Sequence, residues 1–410
     1  MYTLLLLTTL CSTPEPPQTP AELQILRARR QIEARPEDAR PYNQLALGLA
    51  RRARETANPD FYDQAEGALE KALELRPENF ESRKLEVWLD LGRHRFAEAL
   101  VAARELNREV PDDLQVYGFV VDAAVETGRY EEAEQAAQWM LDLRPGNIPG
   151  LTRAAYLREL FGDVDGALEL MRMAYTSTPL TEVEDRAWIV SQMAHLHRSV
   201  GRVESAASLC ELALELFPDY HYALHEFAKV KAALGERDEE LALLRRHYEV
   251  APHPENLYHV GVALHEKGEL EEASDLFARF EESALSESES PDNANLDLVD
   301  YYLRFAPDED GPVEALRIAR LELSRRKDVR TRAAYAWALH ANGRSVEALR
   351  ELDDALELGV QDAELEYRRG EIALACGQEE RATEHLRKSL ALEPRGPRAP
   401  RAAVLLSGRR

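Results

Sequence analysis

Eight of the 11 histidines in this 410-residue chain fall between His195 and His265. Imidazole titrates near neutral pH and is the commonest metal-binding side chain, so the cluster first raises metal binding and proton transfer. His221 and His225 stand four apart, which puts both on one face of a helix and suits zinc. The catalytic form of that pairing, H-E-x-x-H, is absent, because Glu226 follows the second histidine instead of lying between the two. His195 and His197 are two apart and face different sides of a helix. The pattern predicts solvent-facing or hydrogen-bonded structural histidines and no metal site, with a ligand- or metal-sensing role for this His-rich middle as an alternative.

Other chemistry is sparser still. The three cysteines, Cys11, Cys210 and Cys376, have neither disulfide parity nor metal-ligand spacing. Cys210 and Cys376 sit among apolar neighbours, where a small buried thiol is expected. There is no Gly-rich phosphate loop, no G-x-S-x-G elbow and no Cys/His pair in a recognisable setting. Acidic residues are spread as solvating charge and as helical partners for arginine. The expectation is a non-enzymatic protein without a cofactor. A net charge of −24 argues against nucleic acid as a partner, since phosphate binding needs a basic face, and against docking on an anionic membrane.

The elements that must position these residues are helical. Ala, Leu, Glu and Arg dominate and β-branched residues are few, which predicts an all-α chain. Residues 222–252 read as an amphipathic helix, a turn at Gly235, a second amphipathic helix and a stop at Pro252. The unit recurs. Closing prolines stand at Pro77, Pro111, Pro145 and Pro179, each 34 residues after the last, then at Pro218, Pro252 and Pro394. Turns are predicted at Gly92, Gly128, Gly162, Gly201, Gly235, Gly268, Gly343 and Gly377. The fifth unit carries about five extra residues, Thr181 to Asp185, and the eighth, Leu296 to Lys327, is the most degenerate. The organisation read from this is an apolar segment with a Pro-rich tether over 1–20, repeats one to seven over 21–283, a polar loop over 284–295, repeats eight to ten over 296–394, and a basic, mostly disordered tail over 395–410.

A 34-residue helix–turn–helix unit with small residues at helix crossings resembles the tetratricopeptide repeat. The matching residues are Ala155, Gly162, Ala167, Ala174 and Pro179 in the fourth unit. In the fifth they are Ala194, Gly201, Ala206, Ala213 and Pro218, and in the tenth Gly370, Gly377, Ala382 and Pro394. Ala or Gly lets two helix backbones approach, and Pro stops the helix so that the chain turns. The resemblance implies a right-handed superhelical solenoid of about ten repeats, whose concave groove is lined by the first helix of each hairpin. Carried over by position, the inward residues would be Trp188, Ser191, His195 and Arg198 in the fifth unit, and Tyr222, His225 and Lys229 in the sixth. In the seventh they would be Tyr258 and His265, and in the ninth Trp337 and His340. The Lys/Asn/Arg clamp with which chaperone-binding members hold a C-terminal carboxylate has no counterpart, its places falling to residues such as Ser82, Gly118, Thr152 and Ser191.

The function this resemblance implies is a bacterial scaffold or adaptor that binds a protein or peptide segment in its groove, where rings and mixed donors give contact area at low entropic cost. The N-terminus supplies a rival. Its M-Y-T-L-L-L-L-T-T-L-C run and Pro-rich sequel resemble a bacterial lipoprotein signal, with Cys11 as the lipidation site, although no Lys or Arg precedes the run and Leu10 stands where a small residue is usual. An envelope-anchored assembly factor is therefore an alternative, and localisation is open between envelope or periplasm and cytoplasm. Membrane contact is expected only through Cys11. Exposed terminal repeats also make self-association an option.

Overall fold

The computed structural model describes residues 19–306 and 310–407. Cys11 and the apolar N-terminal run lie outside the described residues, so the lipoprotein expectation has no structural counterpart. Among the described residues there are 22 helices and no strand, and no helix is long and apolar enough to cross a membrane. Helix α1 (Pro20–Ala34) precedes ten helical hairpins. The first three are α2 (Ala39–Thr56) with α3 (Asp60–Leu75), α4 (Phe80–Gly92) with α5 (Phe96–Glu109), and α6 (Leu114–Glu126) with α7 (Tyr130–Leu143). Then come α8 (Ile148–Leu160) with α9 (Val164–Ser177), α10 (Val183–Ser199) with α11 (Val203–Leu216), and α12 (His221–Leu234) with α13 (Arg237–Val250). The last four are α14 (Pro254–Lys267) with α15 (Leu270–Glu287), α16 (Asn295–Arg304) with α17 (Gly311–Arg325), α18 (Val329–Ala341) with α19 (Ser345–Leu356), and α20 (Ala363–Ala375) with α21 (Glu379–Leu392). Helix α22 (Ala399–Ser407) closes the chain.

Local chemistry accounts for the hairpins. After a closing proline the chain supplies a short polar cap: Asn79 accepts from the Ser82 amide of α4 at 2.9 Å, Asp113 from the Gln115 amide of α6 at 2.9 Å, and Asn147 from the Gly150 amide of α8 at 2.8 Å. Most first helices end on a left-handed residue. At Gly235 φ is +81°, and the next amide, Glu236, reaches back to the Lys231 carbonyl at 2.9 Å, a closure that side chains disfavour and glycine permits. In the second hairpin the left-handed residue is His94 (φ +58°), not Gly92, which is the last residue of α4. Gly92 instead serves close packing, since a Cβ there would stand 2.8 Å from the Tyr62 ring of α3.

The small residues seat the crossings. Ala65, Ala99, Ala133 and Ala167, 34 apart on successive second helices, are each 0% exposed. The sixth hairpin departs from this rule, because the places of Ala206 and Ala213 fall to Glu240 and His247, both buried. Two boundaries differ from the sequence reading. Helix α15 runs on to Glu287 because Ala284 buries fully in the core, so the loop begins later. The tail forms α22, whose Ala402 is buried against Tyr367 and Leu386.

The solenoid winds tightly enough to meet itself. Lys327 donates its backbone N–H to the Glu126 carbonyl at 2.8 Å, and Arg326 pairs with the Glu126 carboxylate at 2.7 Å across 200 residues. The Gln361 amide donates to the Gly162 carbonyl across 199 residues, His253 meets the Ala57 carbonyl across 196, and Arg198 meets Glu393 across 195. Near the N-terminus Arg51 pairs with Glu182 at 2.5 Å, Arg54 with Glu184 and Asp185, and His94 with Asp292 at 3.2 Å. The separations of 195 to 200 residues are close to six 34-residue units, so over most of the chain about six hairpins complete one superhelical turn and the next turn rests on the first, while at the N-terminal end Arg51 and Arg54 reach across only 130 to 131 residues. One apolar cluster accordingly joins residues from Val87 to Leu160 with residues from Ala228 to Ala382.

Candidate functional site

Closure of the superhelix turns its concave side into an interior cavity of about 690 Å³. Its walls come mostly from first helices: Tyr156 and Glu159 of α8, His195 and Arg198 of α10, Tyr222, His225, Glu226 and Lys229 of α12, His259 of α14, Arg330 of α18 and Glu364 of α20. Ser191, His225 and His259 are 34 residues apart and form one row along the wall. Tyr156 and Tyr222 lie deep in the molecule yet stay 41% and 40% exposed, because they face the cavity rather than packing.

Of the residues expected in the groove, the structure brings His195, Arg198, Tyr222, His225 and Lys229 together on this wall. The other five lie elsewhere. Trp188 packs between two apolar clusters. Tyr258 is 3% exposed, donates its hydroxyl to Asp300 at 2.7 Å and packs among Phe277, Phe280 and Phe305. His265 is exposed with its ring edge-on to Phe305. Trp337 lies under the Arg368 guanidinium and stacks on His340, whose Nδ1 meets the Ser345 hydroxyl at 3.0 Å. A register error of one position separates a groove residue from a core residue on a helix, and Tyr258 and Trp337 fall on the core side.

Charge in the cavity is organised around Arg198. Its guanidinium donates to Glu226 at 2.6 Å, to Glu393 on the next superhelical turn at 3.1 Å, and faces His195 Nδ1 at 3.2 Å. His195 Nε2 lies 2.6 Å from Glu159. Burial opposes charge on Glu226 and on His195, but the Arg198 contact holds Glu226 well below the usual carboxylate range, and hydrogen bonds to Glu159 and Glu226 raise His195. The row of histidines behaves oppositely. Burial, then the charges of Lys229 and neighbouring imidazoles, hold His225 far below its ordinary value, and burial with Lys229 brings His259 to about 3. Their rings stand 4.9 Å apart, and His225 is 5.2 Å from His247. The Nδ1 atoms of His225, His247 and His259 are buried without a hydrogen-bond partner.

The suggestive His221/His225 pair splits: His221 Nε2 meets the Arg54 carbonyl at 2.8 Å across the superhelical turn, while His225 faces the cavity. Among the described residues no group of three or more His, Cys, Asp or Glu side chains is arranged to hold a metal ion. Cys210 is fully buried, and burial pushes its thiol up, away from a reactive thiolate. Sequence reasoning overlooked Tyr156, His259 and Arg330. The 34-residue spacing from His225 would have found His259; Arg330 arrives from the next superhelical turn and has no local signal.

Neither a protein-family model nor a curated protein matches the chain. Solved structures do. A human IFIT1 dimer with m7Gppp-AAAA aligns over 91% of this chain and 86% of its own, at 14% identity and a TM-score of 0.50. The chain is a tetratricopeptide-repeat-like solenoid. Two further matches are TTC0263, a thermophilic TPR protein of Thermus thermophilus (22% identity, 45% of this chain, 98% of that one, TM-score 0.39), and yeast Tom70 (13% identity, 94% and 91%, TM-score 0.42). At these identities the likeness concerns the fold. In this tetratricopeptide-like chain the ten hairpins read from the sequence are α2 to α21, with α1 and α22 as flanking helices.

Proposed function

We propose that the protein is a non-enzymatic binding scaffold that takes a short segment of a partner protein into the cavity of its closed superhelix. The observation that supports this most is the wall itself: two tyrosines, Tyr156 and Tyr222, kept exposed deep inside the molecule. A folded protein normally packs aromatic side chains at such depth, and leaving two tyrosines open is what a ligand site requires. A cavity of about 690 Å³ suits a short extended segment and not a folded domain. Among the described residues no nucleophile–base pair accompanies it: the cavity imidazoles face carboxylates, arginine or one another, and Cys210 is outside it.

A photo-crosslinking side chain at Tyr222, compared with one at the exposed Trp139 outside the cavity, tests the reading in cells of the native host. Crosslinks from position 222 to a single stretch of one protein, absent from position 139, are expected. Crosslinks from 139 alone would place binding on the outer face and end the groove reading.

A further inference from the structure

The wall of the cavity is completed by a stretch that belongs to no hairpin. Gly396, Pro397, Arg398 and Ala399 line it, where the chain passes from α21 into the C-terminal helix α22. Pro394 and Pro397 keep this joint out of helix, because neither can continue one. The base of the joint is fixed: Glu393, which ends α21, pairs with Arg198 across the superhelical turn at 3.1 Å.

Beyond the joint the attachments are few. Among the described residues the backbone hydrogen bonds of residues 396–407 stay within residues 393–407. Helix α22 buries only Ala399 and Ala402, while Val404 is 59% exposed. The neighbouring first helix, α20, buries Leu365, Tyr367, Gly370, Ile372 and Ala373. Two alanines hold a helix weakly, so the main fixed point is Arg398. Its guanidinium takes both oxygens of Glu364, at 2.5 and 2.7 Å, and lies over the Tyr367 ring at 5.4 Å. Arg401 comes no nearer than 3.9 Å to Glu371.

Release of the Arg398 contact strands no charge. Burial opposes charge on Glu364, and both Arg368 and Arg398 hold its carboxyl below the ordinary value. When Arg398 leaves, Glu364 keeps Arg368, 2.7 Å away on its own helix, and Arg398 passes into water. A buried ion pair is costly to break when one partner is left alone, and here neither is.

We propose that residues 394–407 are a latch on the cavity: the Arg398–Glu364 contact holds it shut, and it swings out about the Pro394–Pro397 joint to admit the ligand. The proposal rests on the cavity being the binding site. The solenoid itself stays closed, since the Arg326–Glu126 and Gln361–Gly162 contacts lie outside the latch. Local opening of the least-packed element costs far less than global unfolding.

Thiol labelling reads the opening. Ala233→Cys places a thiol on the cavity wall of the full chain, with Cys11 and Cys376 replaced by serine and Cys210 fully buried. A water-soluble maleimide should label position 233 at least about tenfold faster in Arg398→Gln and in Glu364→Gln than with the latch intact, the loss of one charge-assisted contact. The two changes together should be no faster than either alone, because they break the same contact. Trp139→Cys, outside the cavity, should label at one rate throughout. Hydrogen exchange separates a latch from a merely structural cap: α22 should lose protection in the variants while α20 and α21 keep theirs. Unchanged labelling at position 233, or protection lost in α20 and α21 together with α22, would each overturn the latch. Crosslinking from position 222 keeps the two readings apart. The variants should capture more partner than the wild type, and equal capture would sink the gating role. Faster labelling at position 233 with no protein captured by any form leaves the latch standing and removes only the partner-segment reading.

Discussion

Gly162 and Gly359 meet backbone to backbone: a Cβ on Gly162 would stand 2.6 Å from the Gly359 carbonyl oxygen. The two belong to hairpins almost 200 residues apart, and the contact is where one superhelical turn lands on the next. The glycine that permits a left-handed turn inside its own hairpin (φ +81°) is here also the glycine that lets two turns touch.

That double role is separable by experiment. Gly235 has the same φ of +81° but nothing within 4 Å of a built Cβ. Gly235→Ala should cost about 1–2 kcal/mol, the left-handed penalty alone. Gly162→Ala should cost more and should also loosen the closure, read as an increased radius of gyration by small-angle scattering. Equal losses and equal radii in the two variants would mean that the turns do not bear on each other in solution.

Packing at the crossings makes a second prediction. Ala206 and Ala213 are both 0% exposed at the α10–α11 and α11–α12 contacts, so Ala206→Arg should destabilise by several kcal/mol, since a long charged side chain must be buried or must splay the helices. The same change at Ala242, on the exposed face of α13, should be near neutral. Denaturant midpoints at unchanged slope are the measurement.

The buried charge cluster predicts a non-additive pair. Arg198→Met leaves Glu226 in the interior without its main partner and should cost about 3–5 kcal/mol. Arg198→Met combined with Glu226→Gln removes both charges and should recover part of that loss. A double-mutant cycle with no coupling would show that the two do not act as a pair.

Acid stability follows from the histidines. Burial lowers His221 to about 4 and His247 and His259 to about 3, from an ordinary 6.5. Below pH 6.5 the unfolded chain takes up these protons and the folded chain does not, so stability is full above 6.5 and is lost as pH falls toward the folded values. His195, raised by Glu159 and Glu226, and Asp297, raised by burial, contribute with the opposite sign. Comparison of single variants isolates the effect: His247→Gln should flatten the stability–pH slope between pH 4 and 6 by about one proton, about 1.4 kcal/mol per pH unit. An unchanged slope would show that His247 takes up its proton in the folded state too.

The hairpins were legible in the sequence because each is specified locally. A proline followed by Asn or Asp, a glycine ending the first helix, and an alanine recurring every 34 residues act within one or two turns of helix, and most hairpins carry at least two of the three. The misplaced turn at Gly92 shows the limit of such signals: a glycine serves close approach to Tyr62 as readily as a left-handed φ, and the letters do not distinguish the two. Groove positions were half legible. His195, Arg198, Tyr222, His225 and Lys229 face the cavity, while Tyr258 and Trp337 at similar helical positions turn into the core, because facing depends on a rotation of tens of degrees that an aromatic side chain does not encode.

What the tertiary structure alone decided is closure. Each hairpin is rotated slightly on its predecessor, and only the accumulated rotation, a sum over about six units, sets whether the superhelix stays open or rests on itself. That sum places Arg326 against Glu126, His253 against the Ala57 carbonyl and Arg330 in the same cavity as Lys229. Sequence determined the repeating unit through short-range sterics and capping; the cavity exists because small, long-range geometric terms add up to a full turn.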